Sequence, residues 1–166
     1  MAIHPGCGSL CRYLDRRAER LVIEAWRRWS MGGPGGGVAG LERTAAFFSD
    51  ELGPAEGQRL FLAFAAWLET VSAHRDAPAH ASPVECPRLC RDECMVLAMI
   101  AAAQAADRDS IIAATARLVE PDGIDAAVAA SQRLAAVLSG GGYRLLPVPA
   151  AVVRDIADRP ARAAYH

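Results

Sequence analysis

Lysine and asparagine are missing from this chain: all 18 basic residues are arginine, set against 19 acidic residues, for a formal charge of -1. With no excess of either sign and a pI near 6.4, no global field recruits nucleic acid or an anionic membrane surface. Aromatic residues are scarce at 6%, and β-branched residues are sparse, so the side chains that strands favour are in short supply. Long apolar runs are lacking too. The most apolar stretches, 60–68 and 95–106, fall short of the roughly 20 residues that span a bilayer and read as buried core helices. The first residues, Met1-Ala2-Ile3-His4-Pro5-Gly6, carry neither the basic start nor the apolar run of a signal peptide. The expected setting is therefore cytoplasmic.

What remains is rich in alanine and arginine, both strong helix formers. Hydrophobic residues make up 52% of the 166 and charged residues 22%, with a mean hydropathy of +0.13. That balance excludes intrinsic disorder and predicts one helical domain over 1–166 with its own core. The lack of lysine and the abundance of alanine also fit GC-rich coding, and carry no functional argument.

Periodicity places the helices. Ser9 can cap a first helix running to about Ser30, with Leu10, Leu14, Ala18, Leu21, Val22, Ala25 and Trp29 on its apolar face. A Gly-rich connection at 31–38 follows and reads as a flexible linker. Helices are expected at 41–52 and, after Gly53-Pro54, along Leu60, Phe61, Phe64, Trp67, Leu68 and Val71, forming a hairpin. Residues 75–87 form a loop, long for a compact domain. Asp92 and Glu93 then open a very apolar helix over about 91–106, which lacks a polar face and belongs at the centre. Asp107 or Asp109 caps a helix at 111–119, and Asp125 starts another to Leu138. The tail, 143–166, has room for one short helix at 150–158. The prediction is an all-α bundle of about six helices.

Five cysteines, an odd number, argue in a reducing compartment for packing, metal ligation or thiol chemistry rather than a disulfide framework. Cys86, Cys90 and Cys94 are four apart, and Cys7 and Cys11 repeat that spacing. Such spacing stacks thiols on one helical face, where two thiolates can chelate one ion. His80 and His74, in the adjoining loop, are candidate further ligands. A metal reading therefore assigns Cys86, Cys90, Cys94 and His80 to zinc or an iron-sulfur cluster. A packing reading assigns them, Cys94 foremost, to the core. A thiol reading notes that Cys90 at a helix N-terminus would be pulled toward thiolate by the helix dipole, Arg88 and Arg91, and pushed away by Asp92 and Glu93. No positioned base and oxyanion site make a cysteine hydrolase.

The run Cys86-Pro87-Arg88-Leu89, followed by Asp92-Glu93 and an Ala/Leu-rich helix ending near Gln104, resembles a small all-helical alphaproteobacterial family of uncharacterised function. That resemblance implies a helical, cytoplasmic, bacterial protein and no mechanism. Cys90 stands where the family pattern leads us to expect Thr or Ser as the helix cap.

Two further features favour bland readings. The glycine loop lacks the preceding strand and following Gly-Lys-Ser/Thr of a phosphate-binding loop. Arg12, Arg16, Arg17, Arg20, Arg27 and Arg28 alternate with Asp15, Glu19 and Glu24 at ion-pairing distance, as on a solvated helix face, and no recognition-helix motif accompanies them. Trp26 and Trp29 are expected in the core or an interface. The expected function is non-catalytic: a helical binding or interaction protein, homo-oligomeric because several helices are apolar on more than one face, with the thiol-metal or redox-sensing protein as the alternative.

Overall fold

The computed structural model describes residues 14–33 and 35–158. Among them are seven α-helices and no strand: α1 Arg17–Ser30, α2 Gly37–Leu52, α3 Pro54–Ala73, α4 Arg91–Ala105, α5 Arg108–Thr115, α6 Ile124–Gly140 and α7 Ala150–Asp158. The seventh is the short tail helix. No helix among the described residues is long and apolar enough to cross a membrane.

The apolar sequence of α4 puts it at the centre. Every residue from Met95 to Ala102 is buried, and α1, α5, α6 and α7 pack around it. Helices α2 and α3 form the expected hairpin, and α3 also packs on α6. Their close crossing depends on a missing side chain: a Cβ on Gly57 would lie 2.5 Å from the Phe48 carbonyl oxygen. Aromatic rings run through this side of the core. Trp29 meets Trp26 at 5.1 Å between centroids, Trp26 meets Trp67 at 5.9 Å, Trp67 meets Phe64 at 5.4 Å and Phe64 meets Phe48 at 5.7 Å. Each large side chain buried this way contributes roughly 1.5–3 kcal/mol relative to exposure.

The largest departures from the expected helix boundaries are at the starts of α1 and α2 and the end of α5. Residues 14–16 are a turn, so α1 starts at Arg17, and Ser9 lies outside the described residues. Helix α2 starts four residues before Leu41, because tertiary packing overrides the helix penalty of glycine: a Cβ on Gly40 would sit 2.3 Å from the Trp29 carbonyl. Helix α5 ends at Thr115, where Leu118 and Val119 turn back to bond the Thr115 carbonyl and bury their side chains. Asp107 caps α5, accepting from the Ser110 N–H at 3.1 Å and hydroxyl at 2.6 Å, and these bonds hold its carboxyl below the usual carboxylate range.

The segment leading to α7 is tied down by two side chains. Gln104 donates to the Tyr143 carbonyl at 2.7 Å and accepts from the Leu145 N–H at 2.8 Å, while buried Glu19 accepts from the Leu146 N–H at 2.8 Å.

Candidate functional site

The chain between α3 and α4 has no regular structure, and its geometry follows from charges buried beneath it. Arg27 was expected on a solvated face of the first helix. It is instead 1% exposed and paired with Glu93, itself 0% exposed, through Nε–Oε1 at 2.7 Å and Nη2–Oε2 at 3.1 Å. The reason lies in register: Arg27 follows Ile23 by one turn and falls on the buried side of α1. Its remaining donors reach the Val84, Cys86 and Arg88 carbonyls at 3.1, 2.7 and 2.8 Å. Arg16, Arg20 and Arg28 follow the solvated reading better, pairing with Glu19 and Glu24 along the helix, although Glu19 is itself buried; Arg12 lies outside the described residues.

The acids that open α4 hold the loop from the other side, where the positive end of the helix dipole favours them. Glu93 accepts from the Ser82 N–H at 2.9 Å and the Cys90 N–H at 2.8 Å, besides Arg27. Asp92 accepts from Arg75 at 2.9 Å and from the His80 N–H at 3.1 Å. The Trp26 indole N–H donates to the His80 carbonyl at 3.1 Å. A segment read from sequence as a plain loop is thus pinned at 80, 82, 84, 86, 88 and 90.

Its outer face borders a groove made of two adjoining cavities of about 240 and about 400 Å³ that share Ser30 and Ala79. Trp29, Met31 and Gly33, Gly35 and Gly36 line one bank; Pro78, Ala79, Ala81, Pro83 and Glu85 line the other. The Gly-rich connection thus forms one wall of these cavities. Gly36, at φ +77°, lies so close to Trp29 that a Cβ would fall 1.8 Å from its Nε1.

The candidate ligands Cys86, Cys90, Cys94 and His80 do not come together. Among the described residues no three His, Cys, Asp or Glu side chains form a group able to hold a metal ion, and none of the three cysteines is in a disulfide. Each is occupied differently. The Cys90 thiol sits at the start of α4 in a capping box with Glu93 and donates to the His80 carbonyl oxygen at 3.4 Å. That imidazole is 79% exposed, with Nδ1 3.7 Å from Asp92. Cys94 is half-buried against the core. Cys86 contributes main-chain groups, its carbonyl to Arg27 and its N–H to Pro83 at 2.9 Å. His74 ends α3 beside Gly123. Cys7 and Cys11 lie outside the described residues.

Burial, followed by the nearby Glu93 carboxylate, pushes the Cys90 thiol up to about 12. Of the opposing influences weighed from the sequence, the upward push prevails, and burial contributes more to it than the acids do.

Sequence reasoning missed Arg27 and the joint role of Glu93. Both left a trace: Glu93 stands three residues after the cap position, the spacing of a capping box, and Arg27 falls on the apolar face of its helix.

Comparisons with known protein families, curated proteins and solved structures find no match.

Proposed function

We propose that this chain is a non-catalytic, cytoplasmic binding module whose working surface is the groove between the Gly-rich connection and the 78–85 segment. The observation that carries this reading is the buried Arg27–Glu93 pair beneath that segment. A buried ion pair is a poor source of stability, since apolar residues of similar volume commonly do as well or better, whereas it fixes geometry through directional bonds. Here those bonds go to the main chain of an irregular surface segment, which is what a pre-organised recognition surface requires. Long irregular segments in compact domains tend to carry function.

Self-association belongs to the proposal on narrower grounds than the sequence offered. The all-round apolar character of α4 is used up inside the bundle, but Met31 is exposed in the groove wall and Val38 is exposed near the start of α2. Kinship with the alphaproteobacterial helical family remains part of the proposal and supplies no activity.

The test is a photo-crosslinking amino acid placed in cells at Ala79 or Met31, with exposed Glu69 on α3 as the control. Discrete protein adducts from the two groove positions and none from Glu69 are expected; equal labelling at all three overturns the reading. Stoichiometric zinc or iron in freshly purified, untagged protein would favour the thiol-metal alternative, with ligands drawn in part from outside the described residues.

A further inference from the structure

We infer that residues 79–83 are an edge strand awaiting its neighbour, and that the groove takes an extended peptide from a partner protein, added by main-chain hydrogen bonding along Ala79 and Ala81. The inference rests on the binding-module reading and names its partner class.

Hydrogen-bond alternation carries it. In an extended chain the N–H and C=O of one residue point to the same edge, and those of the next residue to the opposite edge. His80 obeys this: its N–H goes to Asp92 and its carbonyl receives Trp26 and Cys90, all on the inner edge. The Ser82 N–H bonds Glu93 on that same edge, and a turn closed by the Cys86 N–H on the Pro83 carbonyl follows. Side chains, acting in place of a neighbouring strand, thus satisfy both main-chain groups of His80 and the N–H of Ser82. Ala79, Ala81 and Pro83 line the groove together with Pro78, Ser82, Val84 and Glu85, so the alternation lies in the hydrogen bonds and not in the lining. Among the described residues, no main-chain hydrogen bond of the loops and turns involves Ala79 or Ala81. An edge with main-chain donors and acceptors left over is a template for another extended chain.

The surroundings fit such an occupant. Across the groove, Gly33 and Gly35 have open space where a Cβ would be, which leaves room for a backbone to lie close. Pro83 has no N–H and ends the ladder. The pairing is therefore short, over Ala79 and Ala81. Side-chain preference follows from the walls: an apolar residue against Trp29 and Pro78 at one end, a basic one near Glu85 at the other.

The experiment pans a random peptide display library on the full chain, then applies an N-methyl scan to the best binder. Strand addition predicts that methylating alternate peptide amides weakens binding at least about tenfold, some 1.4 kcal/mol, while the intervening amides tolerate it. It also predicts slowed hydrogen exchange at the Ala79 and Ala81 amides, and loss of binding in Ala81→Pro, which removes an outer N–H. Should Ala81→Pro unfold, the scan on the unaltered protein decides. A binder indifferent to alternate methylation, or one that protects amides elsewhere, overturns strand addition and leaves the binding module standing. A library that yields no binder also overturns it, and the crosslinking experiment then judges the module separately. Protection of Ala79 and Ala81 that rises with protein concentration alone would make the occupant a second copy of this chain, and the peptide assignment fails.

Discussion

Replacing Glu93 with glutamine is the most direct test of what holds the 74–90 segment. The carboxylate accepts from Arg27 Nε and Nη2, from the Ser82 N–H and from the Cys90 N–H. Glutamine keeps the shape but leaves one acceptor oxygen and turns an NH2 group toward donors. Arg27, 1% exposed, would keep its charge without a counter-charge. Removing one member of a buried pair costs about 3–5 kcal/mol, and the hydrogen bonds lost are contained in that figure rather than added to it. Against a total stability of roughly 5–15 kcal/mol for a domain of this kind, the variant should unfold at a much lower urea concentration. Far-UV circular dichroism gives the midpoint, with the slope against urea showing whether the compactness of either state has changed. Arg27→Met with Glu93→Leu should cost less than the two single changes summed, with a coupling on the order of 1–3 kcal/mol. A Glu93→Gln loss below about 1 kcal/mol would refute the reasoning, because the pair would then be solvated or dispensable.

Other expectations follow from geometry. Gly36→Ala should destabilise more than Gly35→Ala: both positions carry positive φ, a strain of about 1–2 kcal/mol for a residue with a Cβ, but only at Gly36 does the new carbon strike Trp29, and thermal melts of the pair will rank them. The Cys90 thiol should alkylate slowly at neutral pH, with a rate that still climbs above pH 9 where an ordinary thiol levels off, and early labelling at this residue would contradict it. Because the folded thiol stands at about 12 against an ordinary 9.0, its contribution to stability is complete below pH 9 and is lost as pH rises from 9 toward 12, which unfolding midpoints across that interval will show. Cys90→Ser should be neutral or stabilising by a few tenths to ~1 kcal/mol, since a hydroxyl is the better N-cap acceptor; a large loss of stability together with loss of bound metal would point instead to ligation.

Helical periodicity made most of the fold legible. The apolar faces of α3 and α4 and the caps at Cys90 and Asp107 are local signals, written within a few residues of where they act. The candidate site was legible only in outline. Asp92, Glu93 and the loop were singled out, but their partner Arg27 lies 66 positions from Glu93, and no local pattern links an arginine on one helix to a glutamate on another. The start of α2 failed for the same reason: Gly37 to Gly40 read as a breaker by propensity, and become helical because Trp29 needs room above them. Cysteine spacing misled, since stacking on a helical face says nothing about which way a cap residue turns.

The aromatic row has a spectroscopic consequence. All three tryptophans of the chain belong to it, each buried and each within 6 Å of another. Intrinsic fluorescence therefore reports a single place, where the rings of Trp26 and Trp29 on α1 reach Trp67 on α3. It is blind to α5 and α7, which contain no indole. If the tail helix comes away before the bundle melts, as weakly held terminal elements do, helicity will begin to fall while emission stays fixed. The two optical curves will then separate, and the gap between them will measure how far the last helix is independent of the rest.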